Sequence, residues 1–341
     1  VSEAGYSEGS QIASDSRGGS HIAQLETQTE LPSTRQGPKR SSLLWKRIVR
    51  YRWMYLLALP GFLYFVIMKY MPMWGILLAF QDFNPFKGFW ESEWVGFENF
   101  RTFFTYGDFW PLLRNTLSIS ILNLIFFFPA PIVLALMLNE VRVESYKRIT
   151  QTIIYLPHFL SWVIVASFTF LFFSFDIGIL NKALSALGFS NVSILTEPRY
   201  FYGVLIGQSI WKEVGWGTII FLAAIAGVDT QLYEAATVDG AGRFRKIWHV
   251  TLPAIRSTIV ILMILKLGDM LDVGFEQILL MLNPMVRGVG EVFDTYVYQQ
   301  GILSGNFSYS IAVGLFKSVA GLILVVGGNY LAKKAGEDGL Y

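Results

Sequence analysis

The chain has 341 residues, of which 53% are hydrophobic and 16% aromatic, while only 15% are charged. Soluble domains carry about 25% charged residues, so the deficit places much of the surface against lipid. The absence of cysteine excludes disulfides and thiolate metal sites, three scattered histidines leave no local metal cluster, and a net charge of +2 gives no reason to expect nucleic acid as a partner.

Residues 1–40 are rich in Ser, Gly, Gln and Thr with few large apolar side chains, which predicts a disordered cytoplasmic tail. No signal-peptide core occurs there, since the first apolar stretch begins after Trp53 and is too long for one. The basic run Lys39–Arg52, with Trp45, Trp53 and Tyr55, reads as an interfacial anchor or as a plain topology determinant.

A spanning helix needs roughly 18 or more mostly apolar residues. Six runs qualify: Trp53–Phe80, Asn115–Leu138, Ile149–Phe173, Tyr200–Val228, Ser257–Leu282 and Tyr309–Ala332. They are long and continuously apolar, which predicts helices rather than the short alternating strands of a barrel. The first, fourth and fifth are interrupted by Pro, Gly or charge, which predicts bends or early ends.

Lys and Arg fix the orientation. Eight lie before the first span, three between the second and third, four between the fourth and fifth, and two after the sixth, against six in the loops of the opposite side. Both termini and the fourth-to-fifth loop therefore face the cytoplasm. The expected organisation is a tail (1–40), then the anchor, first span and external loop (41–114), a core (115–332) with a cytoplasmic loop at 229–256, and a second tail (333–341).

The external loop Gln81–Arg114 contains FNPFKGFWESEWVGFENFRTFF, with five acidic residues and three basic ones. Its aromatic density predicts short helices lying on the outer membrane face; a docking surface for an external partner is the alternative. No phosphate loop of the G-x-x-x-x-G-K-[ST] type occurs, so the chain itself is expected not to hydrolyse ATP, and no catalytic residues are assigned.

The cytoplasmic loop reads EAATVDGAGRFRKIWHVTLP from Glu234 to Pro253. Asp229 is placed to cap a short helix starting near Gln231. Ala235, Ala236 and Ala241 would let that helix sit deep in a partner's groove, and Gly240 permits close approach or a sharp break. Glu234 and Asp239 offer carboxylates to a partner, Arg243, Arg245 and Lys246 the complement, and Leu252-Pro253 is expected to end the segment. The pattern Glu-Ala-Ala, three residues, Gly, nine residues, an aliphatic, one residue, Leu-Pro resembles the EAA loop of bacterial ABC importer permeases, with Val250 where the family usually has Ile.

Beyond the loop, YLPHFLSWVIV, GILNKALSALGFSNVSILTEP and LYEAATVDGAG are similar to the maltose-type sugar permeases, from about Asn115 to the C-terminus. The six-span form with a long aromatic external loop looks most like permeases for oligosaccharides and polysaccharide fragments. The resemblance implies an all-α, six-span integral membrane protein with a type I ABC importer-like core, in the bacterial cytoplasmic membrane. It implies a second homologous permease subunit, an ATPase subunit dimer and an extracytoplasmic solute-binding protein as partners. It also implies no cofactor on this chain, with ATP and Mg held by the ATPase. Coupling to that ATPase would run through Glu234, Ala235, Ala236, Asp239, Gly240, Leu252 and Pro253.

Sugars are held by aromatic faces and by carboxylate, amide and hydroxyl hydrogen bonds, and an ionisable group inside a span is a functional candidate. Ser209, Lys212, Glu213 and Trp216 follow i, i+3, i+4, i+7 spacing and share one helix face. The family resemblance turns that face toward substrate, and places His158 and Trp162 on the cavity as well. An internal Lys212–Glu213 patch is the plainer alternative, although neighbouring residues on a helix point about 100° apart, against direct pairing. Asp269 and Asp272 occur at i, i+3 with Lys266 one turn earlier, either as a substrate or ion site or as a Lys266–Asp269 pair. Lys317 reads as structural or snorkelling. Two further classes stay open: an ion-coupled carrier using Asp269, Asp272 and Lys212, and an ABC permease for a non-sugar solute.

Overall fold

Backbone N–H and C=O groups find no water in a bilayer, so long apolar runs satisfy them internally as helices. The computed structural model describes residues 49–105 and 108–336. The expected disordered tail, most of the Lys39–Arg52 run and the last five residues lie outside them. Among the described residues, four uninterrupted stretches are long and apolar enough to cross a membrane: Arg52–Phe80, Phe109–Asn139, Pro198–Ala226 and Phe307–Lys334. Two bent helix pairs bring the number to six if each is one span.

The chain divides into two compact units, Val1–Ile67 and Met68–Tyr341. In the first, the helix Arg52–Phe65 contains Pro60 and buries no side chain. The π-helical turn Val66–Tyr70 straddles the boundary, and the elements from Met71 onward belong to the second unit.

The external loop folds more than expected. Gln81–Asp82 pairs antiparallel with Glu93–Trp94, and short helices cover Gly88–Glu91 and Glu98–Thr105. Phe103 is fully buried against Phe293, Phe316 and Phe109 in edge-on and tilted contacts that help fix the loop to the last span.

In the second span a π-helical turn, Asn123–Phe127, separates Phe109–Leu122 from Pro129–Asn139. Pro129 and Pro131 have no N–H to continue the ordinary ladder, and Phe128 N–H donates instead to the Asn123 carbonyl five residues back, at 2.9 Å.

The third span is not the single rod expected over Ile149–Phe173. Pro157 lacks an N–H, the helix Glu144–Tyr155 tightens into the 3-10 turn Leu156–Phe159, and Leu160 is extended. The Ser161 hydroxyl then caps Trp162–Phe173, accepting from Ile164 N–H at 3.4 Å. The two arms meet at an elbow of 101°.

The fourth span corrects the opposite expectation: its 29 residues, Pro198–Ala226, form one continuous helix despite four interior glycines. Two of those glycines are spacers. A Cβ on Gly215 would overlap the Ile154 carbonyl, and one on Gly217 would lie 2.9 Å from the Pro131 ring. Without side chains there, the arm Glu144–Phe159 and the second span lie directly on the fourth.

The fifth span ends early, as expected. Arg256–Gly268 gives way to a 3-10 turn, Asp269–Leu271, and Gly274 adopts φ +89° before the separate helix Phe275–Met281. Gly268 is needed at the break because a Cβ would strike Val325 of the last span. Asp272 is extended, so Asp269 and Asp272 do not share an α-helical face as their spacing suggested. Buried packing follows the fourth span along its length. Phe201 and Leu205 join one cluster with Ile278 and Val292, while Phe221 and Ile225 join another with Ala135 and Ile255.

Candidate functional site

A cavity of ≈ 390 Å³ opens where the second, third, fourth and fifth spans meet. Five of the eight residues singled out in the sequence line it: Trp162, Ser209, Glu213, Asp269 and Asp272. The other three stand behind or beside that wall. Lys212 is buried, His158 half-buried and Trp216 half-exposed, and none of them reaches the cavity lining.

The arrangement centres on Glu213. Its Oε1 accepts from Lys212 Nζ at 2.7 Å, and its Oε2 lies 2.6 Å from His158 Nδ1. Lys212 Nζ also donates to the His158 carbonyl at 3.0 Å and sits 5.2 Å from the Trp162 ring centroid. Direct Lys212–Glu213 pairing corrects the expectation from helical angles: the lysine stem is long enough to swing its ammonium back to its neighbour. It does so because the Pro157 elbow leaves the His158 carbonyl outside any helical ladder and in need of a donor. A buried ammonium requires such a set of partners.

Trp216 stacks on the His158 ring, with centroids 4.6 Å apart and planes 8° from parallel. One face of Trp216 is therefore taken by a protein ring. Ser209 belongs to a second chain of bonds, donating to Gln277 Oε1 at 3.3 Å. Gln277 Nε2 donates to Gln208 Oε1 at 3.0 Å, and Gln208 Nε2 to Thr169 Oγ1 at 2.7 Å. Lys212, Gln208 and Gln277 are all less than a tenth exposed, so these bonds are made away from water.

The carboxylates of the fifth span have other partners than foreseen. Asp272 lies 3.6 Å from Lys317 of the last span, and Lys317 also donates to Asp294. Lys317 is thus paired rather than snorkelling. Burial pushes the Asp294 carboxyl up, with Lys317 drawing it back down. Among the described residues no ion pair joins Lys266 to Asp269, which removes the quieter explanation for that spacing. Sequence reasoning passed over Asn123, Phe127 and Gln277, which also line the cavity. The signal for the second-span face was present: Ser120, Asn123, Leu124 and Phe127 follow the same i, i+3, i+4, i+7 spacing as the fourth-span face.

At the other end of the fourth span the chain forms a surface knob. Asp229 caps the helix Thr230–Val238, its carboxylate accepting from Gln231 N–H at 2.9 Å. Gly240 follows at φ +73°, in the left-handed region where L side chains are strained, and nothing lies within 4 Å of its missing Cβ. Gly240 serves the break, not a close approach among the described residues. Lys246 Nζ ties the returning helix Arg243–Lys246 to Thr237 Oγ1 at 2.7 Å, and the Tyr233 and Thr251 hydroxyls bond at 3.0 Å. As expected, the segment ends at Leu252-Pro253: the helical stretch Arg243–Ala254 stops one residue later and turns by 61° into Arg256–Leu271. Glu234, Ala235 and Asp239 are exposed, Ala236 and Leu252 half-buried. Val238 and Phe244 are 87% and 89% exposed on the same knob, and Trp248 69%.

The geometry can be set beside known proteins. Residues 127–336 match the family described as the inner membrane component of binding-protein-dependent transport systems. Protein LplB of Bacillus subtilis (strain 168) is 58% identical over 292 residues, covering 86% of this chain and 92% of LplB. The polygalacturonan/rhamnogalacturonan transport system permease protein YteP of the same organism is 54% identical over 303 residues, covering 89% and 94%. Among solved structures, a bacterial ABC transporter involved in the import of the acidic polysaccharide alginate gives a TM-score of 0.79 at 40% identity, over 86% of this chain and 99% of that one. A bacterial alginate ABC transporter in complex with alginate pentasaccharide-bound periplasmic protein gives 0.80 at 40% identity, over 87% and 99%.

Proposed function

The chain belongs to the family of inner membrane components of binding-protein-dependent transport systems, and from that premise we propose how it works as a permease. It is a multi-pass, helical, cytoplasmic-membrane subunit of a carbohydrate ABC importer, not an enzyme, and it works with an extracytoplasmic solute-binding protein. Its cargo is an oligosaccharide or polysaccharide fragment, taken from that binding protein at the outer face. A second homologous permease subunit closes the open side of the cavity, and two ATPase subunits, holding ATP and Mg, grip the knob from the cytoplasm.

In the cavity, Trp162 presents an aromatic face to a sugar ring while Ser209, Glu213, Asp269 and Asp272 bond its hydroxyls. Lys212 and His158 hold the Glu213 carboxylate in place, and Trp216 holds His158. On the knob, Glu234 and Asp239 pair with basic residues of the ATPase, the small Ala235 and Ala236 let the helix seat, Gly240 keeps its return tight, and Leu252 and Pro253 anchor the far end. Closure of the ATPase dimer on ATP moves the knob, and the unbroken fourth span carries that motion to the cavity wall, shifting the population from inward-open to outward-open.

The single observation that supports this most directly is one continuous helix with a bonded polar wall on its length and an exposed apolar knob at its end. An ion-coupled carrier needs no such knob. The test is uptake by the complete transporter in proteoliposomes. Uptake should stop when ATP or the ATPase is withheld and survive an ionophore; abolition by the ionophore with ATP still being hydrolysed overturns the proposal.

A further inference from the structure

The cavity carries charges whose partners can be followed one by one. Glu213 is taken by Lys212 and His158, and Asp272 by Lys317. That leaves Lys266 and Asp269. Among the described residues no carboxylate pairs with Lys266, although it lies within a membrane span; its ammonium sits 5.8 Å from the Phe127 ring centroid. An unpaired lysine inside a span is costly unless something anionic meets it there. Beside it, the Asn123 side-chain oxygen is buried with no hydrogen-bond partner. A buried unmatched amide oxygen is equally costly, and here it belongs to a π turn that the prolines behind it hold open.

We propose that the corner formed by Asn123, Phe127 and Lys266 is a subsite for the carboxylate-bearing residue of an acidic oligosaccharide. The uronate carboxylate pairs with Lys266, an adjacent hydroxyl donates to Asn123, and Phe127 walls the ring on its apolar side. Asp269 accepts a hydroxyl from the next residue along. The subsite rests on the oligosaccharide reading above and narrows it from sugars in general to uronate-containing ones.

Because the chain has no cysteine, a single Leu124→Cys change places one thiol on the cavity wall, and its alkylation is read by mass on this chain alone. In the complete transporter, trigalacturonate should slow alkylation by N-ethylmaleimide, and its carboxyl-reduced counterpart of equal length should not. Adding Lys266→Gln should raise the half-protecting concentration of trigalacturonate about tenfold, the scale of one lost charge-assisted hydrogen bond, while Lys266→Arg keeps it near the starting value. Asn123→Ala should raise it about threefold. Equal protection by both sugars, or protection indifferent to Lys266→Gln, overturns the subsite and leaves the oligosaccharide reading standing. Reaction of the thiol with no protection by either sugar overturns both.

Discussion

The two ends of the fourth span solve opposite problems. Around Glu213, polar groups are withdrawn from the surface and bonded to one another; at the knob, Val238, Phe244 and Trp248 are apolar groups left exposed. The wall is preorganised by its own bonds. The knob is held in shape by Asp229, Lys246 and Tyr233, yet its apolar surface is matched by nothing among the described residues. Exposed apolar patches of this kind mark protein contacts. A single helix therefore joins a site completed from within to one completed from without.

The hardest way to strain that contrast is to break the wall. Lys212→Ala leaves Glu213 short of its buried ammonium partner and the His158 carbonyl unmatched. The expected loss is about 3–5 kcal/mol of stability, read as a fall in the melting temperature of detergent-solubilised protein. The double change Lys212→Met with Glu213→Gln should recover part of it; no difference between single and double variants would show that the pair is not a coupled unit. At the knob the outcome should be the reverse, with function lost and stability kept. Gly240→Val forces a β-branched residue to positive φ, at a local cost of about 1–2 kcal/mol, and should cut ATP-driven uptake by an order of magnitude while membrane insertion is unchanged. Wild-type uptake with Gly240→Asp would count against any coupling role for the turn.

Smaller effects sharpen the boundary between the two regions. Phe244→Ser should leave the melting temperature alone but weaken copurification of the ATPase, since the ring is 89% exposed. Trp216→Ala removes a stacked pair worth about 0.5–1.5 kcal/mol and frees the His158 ring. Uptake should weaken through a raised half-saturating concentration, with ATPase assembly intact, and unchanged uptake would detach Trp216 from the site. Val250→Ile, a conservative swap at a half-buried position, should change stability by less than about 1.5 kcal/mol and coupling not measurably.

Much of this division was legible in the residues. The knob announced itself because caps, a turn glycine and small helix residues act locally, and local signals survive without tertiary context. The fourth-span face was visible through helical spacing, since a lysine, a glutamate and a tryptophan stand out within an apolar run. Asn123 and Gln277 did not stand out, being neutral, the first within an apolar run and the second beside the charged Glu276. The elbow at Leu160 was written in Pro157 and Ser161, one removing a donor and the other supplying a cap; the unbroken hydrophobicity on either side concealed it. The partners of Asp272 were not legible at all. Lys317 is remote in sequence, and only the packing of the last span on the break at Gly268 brings them together.

The elbow also settles a matter of bookkeeping between compartments. If the bent segment Glu144–Phe173 dipped into the bilayer and came back on the same side, the fourth span would begin from the wrong face and deliver Glu234 and Phe244 outside the cell. The lysine and arginine bias predicts instead that this segment, turned through 101°, completes a crossing. A tag at Asn139 and another at Gly178 should thus report from opposite faces.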